Sequence, residues 1–143
     1  MRKIVLDTNS LLMSLPKISP YRMIWDDFLA GKLILCVTNE IVEEYLEIIE
    51  QKTTAEIANN VISVILSQKN VEFVTPYYKM HLIQADEDDN KFVDCAFTAG
   101  ASCIVSNDAH FQILNEINFP KIYVFRIKEF MNLLLREKNN PNL

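Results

Sequence analysis

A chain of 143 residues suits one folded domain, and half of its residues are hydrophobic, among them eight Phe, five Tyr and one Trp. A domain of this size buries roughly 68–70% of the surface that its unfolded chain exposes, so a core forms without a disulfide or zinc staple. The formal net charge of −5 argues against a nucleic-acid-coating basic surface, and the two glycines, Gly31 and Gly100, exclude both a dinucleotide-binding G-x-G-x-x-G and a P-loop.

The opening MRKIVLD reaches an acid too early for a signal peptide, and no apolar run approaches membrane-spanning length, which predicts a cytoplasmic protein with no membrane partner. Residues 3–7 read as a buried strand, ending in polar Thr8, Asn9 and Ser10. A loop bounded by Pro16 and Pro20 leads to a helix within residues 21–32, stopped by Gly31. Residues 33–37 are a second strand, and Thr38 or Asn39 caps a helix through about Gln51. A further helix covers 54–68, and a third strand, 71–75, ends at Pro76.

Residues 77–87 show no clear periodicity and lead into the run Asp86-Glu87-Asp88-Asp89, after which a helix extends to Ala99 and closes at Gly100. A fourth strand (103–106), a short helix (108–117), a fifth strand (122–125) and a last helix (127–137) complete one domain over residues 1–137, with 138–143 a tail expected to fray. Cys36, Cys95 and Cys103 contain no C-x-x-C pair and read as buried free thiols.

Solidly apolar strands alternating with helices predict a parallel sheet covered on both faces, whose functional groups gather beyond the carboxyl ends of its strands. That rule selects among the acids. Asp7 ends strand one, Asp108 follows strand four, Asp89 begins the helix after strand three, and Glu44 lies in the second turn of the helix after strand two. Each has a simpler role available: Asp7 as a turn cap, Asp108 as a helix cap, Asp86 to Asp89 as solvated helix-start acids, and Glu44 as a surface glutamate. Their convergence is harder to dismiss. Two carboxylates about 5 Å apart repel by roughly 3 kcal/mol at an effective dielectric of 20, a large share of the roughly 5–15 kcal/mol stability of a domain. Four together must take up protons or share a cation, and an all-oxygen set suits Mg²⁺ or Mn²⁺.

These segments resemble the PIN-domain proteins, particularly VapC-like toxins of toxin–antitoxin systems. The resemblance rests on IVLDTNSLL, on Thr38 followed six residues later by Glu44, on ADEDDNKFVDCAFTAGA and on IVSNDAHF. The Thr38 spacing selects Glu44 over Glu43. Spacing to Ala96 selects Asp89, with Asp86 and Asp88 as secondary candidates and Asp94 further into the helix; Asn107 stands where many relatives have Gly or a basic residue. The resemblance implies a three-layer α/β/α fold with a parallel five-stranded sheet of order 3-2-1-4-5. It also implies a Mg²⁺- or Mn²⁺-dependent endoribonuclease, often homodimeric, that cleaves RNA and is neutralised by a small antitoxin protein.

On this reading Asp7, Glu44, Asp89 and Asp108 hold one or two ions and serve catalysis. Asn9 and Ser106 orient carboxylates, water or phosphate, with Asp86 and Asp88 nearby; the proton acceptor is Glu44 or Asp89. His81 and His110 fall off the expected rim and read as structural or surface groups. Lys91, beside Asp89, reads as a solvated helix lysine ahead of a phosphate contact, and Phe73, Tyr77 and Tyr78 as core and loop packing ahead of stacking on bases. A haloacid-dehalogenase-type phosphatase needs a second Asp where this chain has Asn9, and a response-regulator receiver needs an Asp where it has Thr75-Pro76. The remaining rival is a catalytically inactive PIN-like scaffold that binds RNA or protein.

Overall fold

The five apolar runs fold as β1 (Arg2–Leu6), β2 (Leu33–Val37), β3 (Val71–Phe73), β4 (Cys103–Val105) and β5 (Val124–Phe125) in a computed structural model that describes residues 1–84 and 86–140. Between and after them lie α1 (Thr8–Ser14), α2 (Arg22–Leu29), α3 (Asn39–Lys52), α4 (Ala55–Ser67), α5 (Asn90–Ala99) and α6 (Ile127–Asn139). Glu87–Asp89 and Ala109–Glu116 are 3₁₀ segments. Of the tail expected to fray, residues 141–143 lie outside the described residues. No helix among the described residues is long and apolar enough to cross a membrane.

All strand pairs are parallel, and their order is β3-β2-β1-β4-β5, the expected 3-2-1-4-5. β1 is central: Ile4, Val5 and Leu6 are buried, and so are Cys36, Val37, Ile104 and Val105 on its neighbours. The chain moves outward one way through β2 and β3, then crosses back to β4. Right-handed crossovers therefore place α5 on the opposite face from the helices before it. α5 packs across β1, β2 and β4, while α2 packs on β2 and on α6. The reversal falls between β1 and β4, where parallel α/β sheets open their ligand crevice.

The main departure from the expected elements is α1, which occupies a region read as strand end and loop. Asp7 caps it, accepting a hydrogen bond from the Ser10 backbone N–H at 2.8 Å, and Leu11 anchors it in the core. The polar trio Thr8, Asn9 and Ser10 is thus the first turn of a helix. β3 and β5 are shorter than expected. Pro76 has no N–H with which to prolong a ladder, and β5 is an edge strand facing a three-residue partner. The three cysteines are free and buried, and burial pushes the thiols of Cys36 to about 11 and Cys103 to about 12.

α3 is fastened to the central strand by one buried polar contact. The fully buried Tyr45 hydroxyl donates to the Leu6 carbonyl at 2.5 Å, at the carboxyl end of β1. Removing the hydroxyl leaves that carbonyl without its donor. We expect Tyr45→Phe to lower unfolding stability by about 1–3 kcal/mol, read as a reduced urea midpoint with an unchanged slope.

Candidate metal centre

β1 and β4 are in register at Leu6 and Val105, so the residues that follow them emerge side by side. Asp7 is one of these, and it is only 6% exposed. The Ser106 hydroxyl donates to Asp7 Oδ2, while the Ser10 N–H donates to Oδ1. Ser106 Oγ also accepts from the Asp108 N–H at 3.0 Å. One buried serine therefore sets the spacing of two acids that lie 101 positions apart in sequence. Burial raises the Asp7 pKa above its ordinary value; the hydrogen bonds from Ser106 and Ser10 work against that rise, and Asp108 adds to it.

Asp108 caps the following 3₁₀ segment through the His110 N–H at 2.9 Å. The cap aims the imidazole back across the rim, with His110 Nδ1 3.5 Å from Asp108 Oδ1 and 3.7 Å from Asp89 Oδ2. Asp86, Asp89 and His110 each offer a ligand atom within 4.8 Å of the others. Asp89 Oδ2 is buried and has no hydrogen-bond partner. Burial, followed by the charges of Asp86 and Asp108, raises the Asp89 pKa to about 6, with His110 acting the other way. An orphaned carboxylate oxygen among further carboxylates and one imidazole fits a hard or borderline divalent ion such as Mg²⁺ or Mn²⁺.

Glu44 is engaged differently. The Thr8 hydroxyl donates to its Oε2, and the Lys91 ammonium lies 2.7 Å from its Oε1. Lys91 also contacts Asp88 Oδ1 at 2.8 Å, and its side chain is only 6% exposed. Burial alone would lower the lysine pKa, but Asp88 and Glu44 hold it above its ordinary value; in return Lys91 holds Asp88 below its own. Glu43, the helical neighbour that periodicity scarcely separated from Glu44, points into solvent.

The structure thus gathers Asp86, Asp89 and His110, places Asp108 beside His110 and ties Asp7 to Asp108 through Ser106, and sets Glu44 with Asp88 around Lys91. Three readings of individual residues are corrected. Lys91 is a buried counter-ion, because two carboxylates outweigh the cost of its burial. His110 sits on the rim, because the Asp108 cap turns it there. Phe73, Tyr77 and Tyr78, expected to pack, are 47%, 87% and 76% exposed after β3. Asn9 is an exposed residue of α1, and His81 pairs with Glu87 of the acidic run at 3.2 Å. The Asp-capped apolar run LLMSL was the signal for α1; Lys91 stands in the acidic-run signature, but nothing in local sequence pointed to Glu44 as its partner.

The raised Asp89 pKa has a defined sign. Between about pH 4 and pH 6 the folded protein keeps a proton that the unfolded chain, with an Asp pKa near 3.9, has released. Metal-free stability therefore falls as pH rises through that window and stays lower above it. In EDTA, Asp89→Asn should raise stability at pH 7.5 by on the order of 1 kcal/mol, about 2–4 °C in Tm. The gain should fade toward pH 4, and thermal melts at the two pH values check it.

A family model described as PIN domain matches residues 3–110. No curated protein gives a match. VapBC2 from Rickettsia felis, solved bound to a DNA fragment from their promoter, aligns with TM-score 0.60 and 15% identity over 87% of this chain and 98% of that one. DNA-bound VapBC from Salmonella typhimurium aligns with TM-score 0.60 and 19% identity over 89% of this chain and 99% of that one. At these identities the two structures speak for the shared fold, including its sheet order. The family match spans β1 through β4 and both flanks of the acidic rim, and the chain belongs to the PIN-domain family.

Proposed function

We propose that this protein is a divalent-metal-dependent endoribonuclease that acts as the toxin of a toxin–antitoxin pair. The observation that carries the reading is the buried, unpartnered Asp89 Oδ2 beside Asp86, Asp108 and His110, a carboxylate group short of one cation. PIN-domain membership supports the nuclease part, and likeness to the VapBC structures supports a small antitoxin protein as partner. The proposal extends to a cytoplasmic homodimer.

Asp7, Asp89 and Asp108 would hold Mg²⁺ or Mn²⁺. The ion, when bound, supplies a Lewis acid for the scissile phosphodiester and lowers the pKa of the attacking water. Ser106 keeps Asp7 and Asp108 in register through its single hydroxyl. Of the two candidate proton acceptors Asp89 is favoured, because both oxygens of Glu44 already accept hydrogen bonds. Asp86 and Asp88 flank these groups, and exposed Asn9 is free to meet substrate. Exposed Phe73, Tyr77 and Tyr78 offer π-faces for unpaired bases. This favours single-stranded RNA, since stacking needs no basic surface and the chain carries a net charge of −5.

An inactive scaffold would leave Asp89 uncompensated for no return, so the enzyme reading is preferred. End-labelled single-stranded RNA incubated with the protein and Mn²⁺ should be cut, and EDTA should stop the cutting. Asp7→Asn and Asp108→Asn should each reduce the rate by roughly a hundredfold or more with an unchanged circular dichroism spectrum, because Asn still caps a helix. Equal cleavage in EDTA, or full activity in both variants, would sink the proposal.

A further inference from the structure

The Lys91 ammonium sits in a cage of three oxygens: Glu44 Oε1 at 2.7 Å, Asp88 Oδ1 at 2.8 Å and the Asp88 carbonyl at 3.1 Å. Lys91 belongs to the first turn of α5, where the helix dipole disfavours a cation, and it is buried, where a lone ammonium is costly. Neither its helix nor its burial favours a charge at this point. The carboxylates alone account for it, and the same cage of hard oxygens is what a divalent ion would seek.

We infer that Lys91 takes the place of a second divalent ion, filling the Glu44–Asp88 half of the centre and limiting the protein to one metal, held by Asp7, Asp89 and Asp108. The inference rests on the metal-dependent reading above and adds the number of ions to it. The centre is divided by its charge balance. In the Lys91 half, both Glu44 oxygens and one Asp88 oxygen have donors. In the other half Asp89 Oδ2 is buried without a hydrogen-bond partner, close to Asp86 and His110. Among the described residues no lysine or arginine pairs with that second half, which is faced by the His110 imidazole instead. Glu44 then acts by joining α3 to α1 through Thr8 and to α5 through Lys91, as a positioning residue rather than a ligand.

Isothermal titration of the full chain with Mn²⁺, without RNA, tests this. The wild type should bind one ion. Lys91→Met should bind two, the second in the vacated cage, and Lys91→Arg should restore one. Glu44→Gln should keep one ion with Kd changed less than tenfold, while Asp89→Asn should weaken it by roughly a hundredfold or more. Two ions in the wild type, or one in a folded Lys91→Met, overturn the inference. So does a tenfold or greater loss of affinity in Glu44→Gln, which decides the matter if Lys91→Met does not fold. A wild type that binds no Mn²⁺ overturns this inference and the metal-dependent reading together. One that binds a single ion as described yet cuts no RNA leaves the inference standing and removes the nuclease.

Discussion

The structure depends on a carboxylate buried at the point where the sheet reverses its strand order. Asp7 ends the central strand, caps α1 and accepts the Ser106 hydroxyl from the neighbouring strand, so three elements converge on two oxygen atoms. Burying that charge is unfavourable, as its raised pKa records. The hydrogen bonds from Ser10 and Ser106 reduce the penalty without removing it. What is left over is an electrostatic demand, and the other acids of the rim are arranged around it.

That demand is shared by polar residues which hold the rim together from behind. Asn90 receives the Ile83 N–H at 2.9 Å and donates to the Ile83 carbonyl at 2.8 Å. Asp94, one turn later, is buried and accepts the Met80 N–H at 3.0 Å. Both fasten the segment before the acidic run to α5. The same helix thus carries two kinds of polar residue: Asn90 and Asp94 satisfy a loop backbone, whereas Lys91 turns toward Glu44. Asn107 plays a similar part at the other end, accepting the Ile127 N–H at 3.0 Å and fixing the start of α6 beside the rim.

A parallel sheet covered on both faces was legible because solidly apolar strands alternating with helices are a property of whole segments, whereas the order 3-2-1-4-5 came from the family resemblance. Motif spacing from Thr38 separated Glu44 from Glu43, which helical geometry alone did not. Other features depend on contacts between distant residues. Lys91 looks like any helix-start lysine until Glu44, 47 positions earlier, is placed against it. His110 is brought to Asp89 by a cap made two residues away. α1 was hidden by its first turn: a polar trio after a strand reads equally well as a turn, and only the Asp7 cap with buried Leu11 decides for helix.

A lysine and a metal ion can both neutralise carboxylates, but they differ in when they are present. The Lys91 charge arrives with the chain, so the packing of α1, α3 and α5 around Glu44 does not wait for metal. Among the described residues the Asp7–Asp89–Asp108 side has no lysine or arginine partner, only the His110 imidazole, and the charge of Asp108 acts against both Asp7 and Asp89. In the proposed metal-bound state, affinity would draw on that repulsion, since an ion that relieves it gains the relief as binding free energy. A centre neutralised throughout by lysines would fold well and bind nothing, and one with none would carry the full repulsion of its acids into the apo state. Placing one fixed cation beside one unfilled deficit keeps the apo fold stable while leaving a reason to bind metal on the side where Asp89 has a free oxygen.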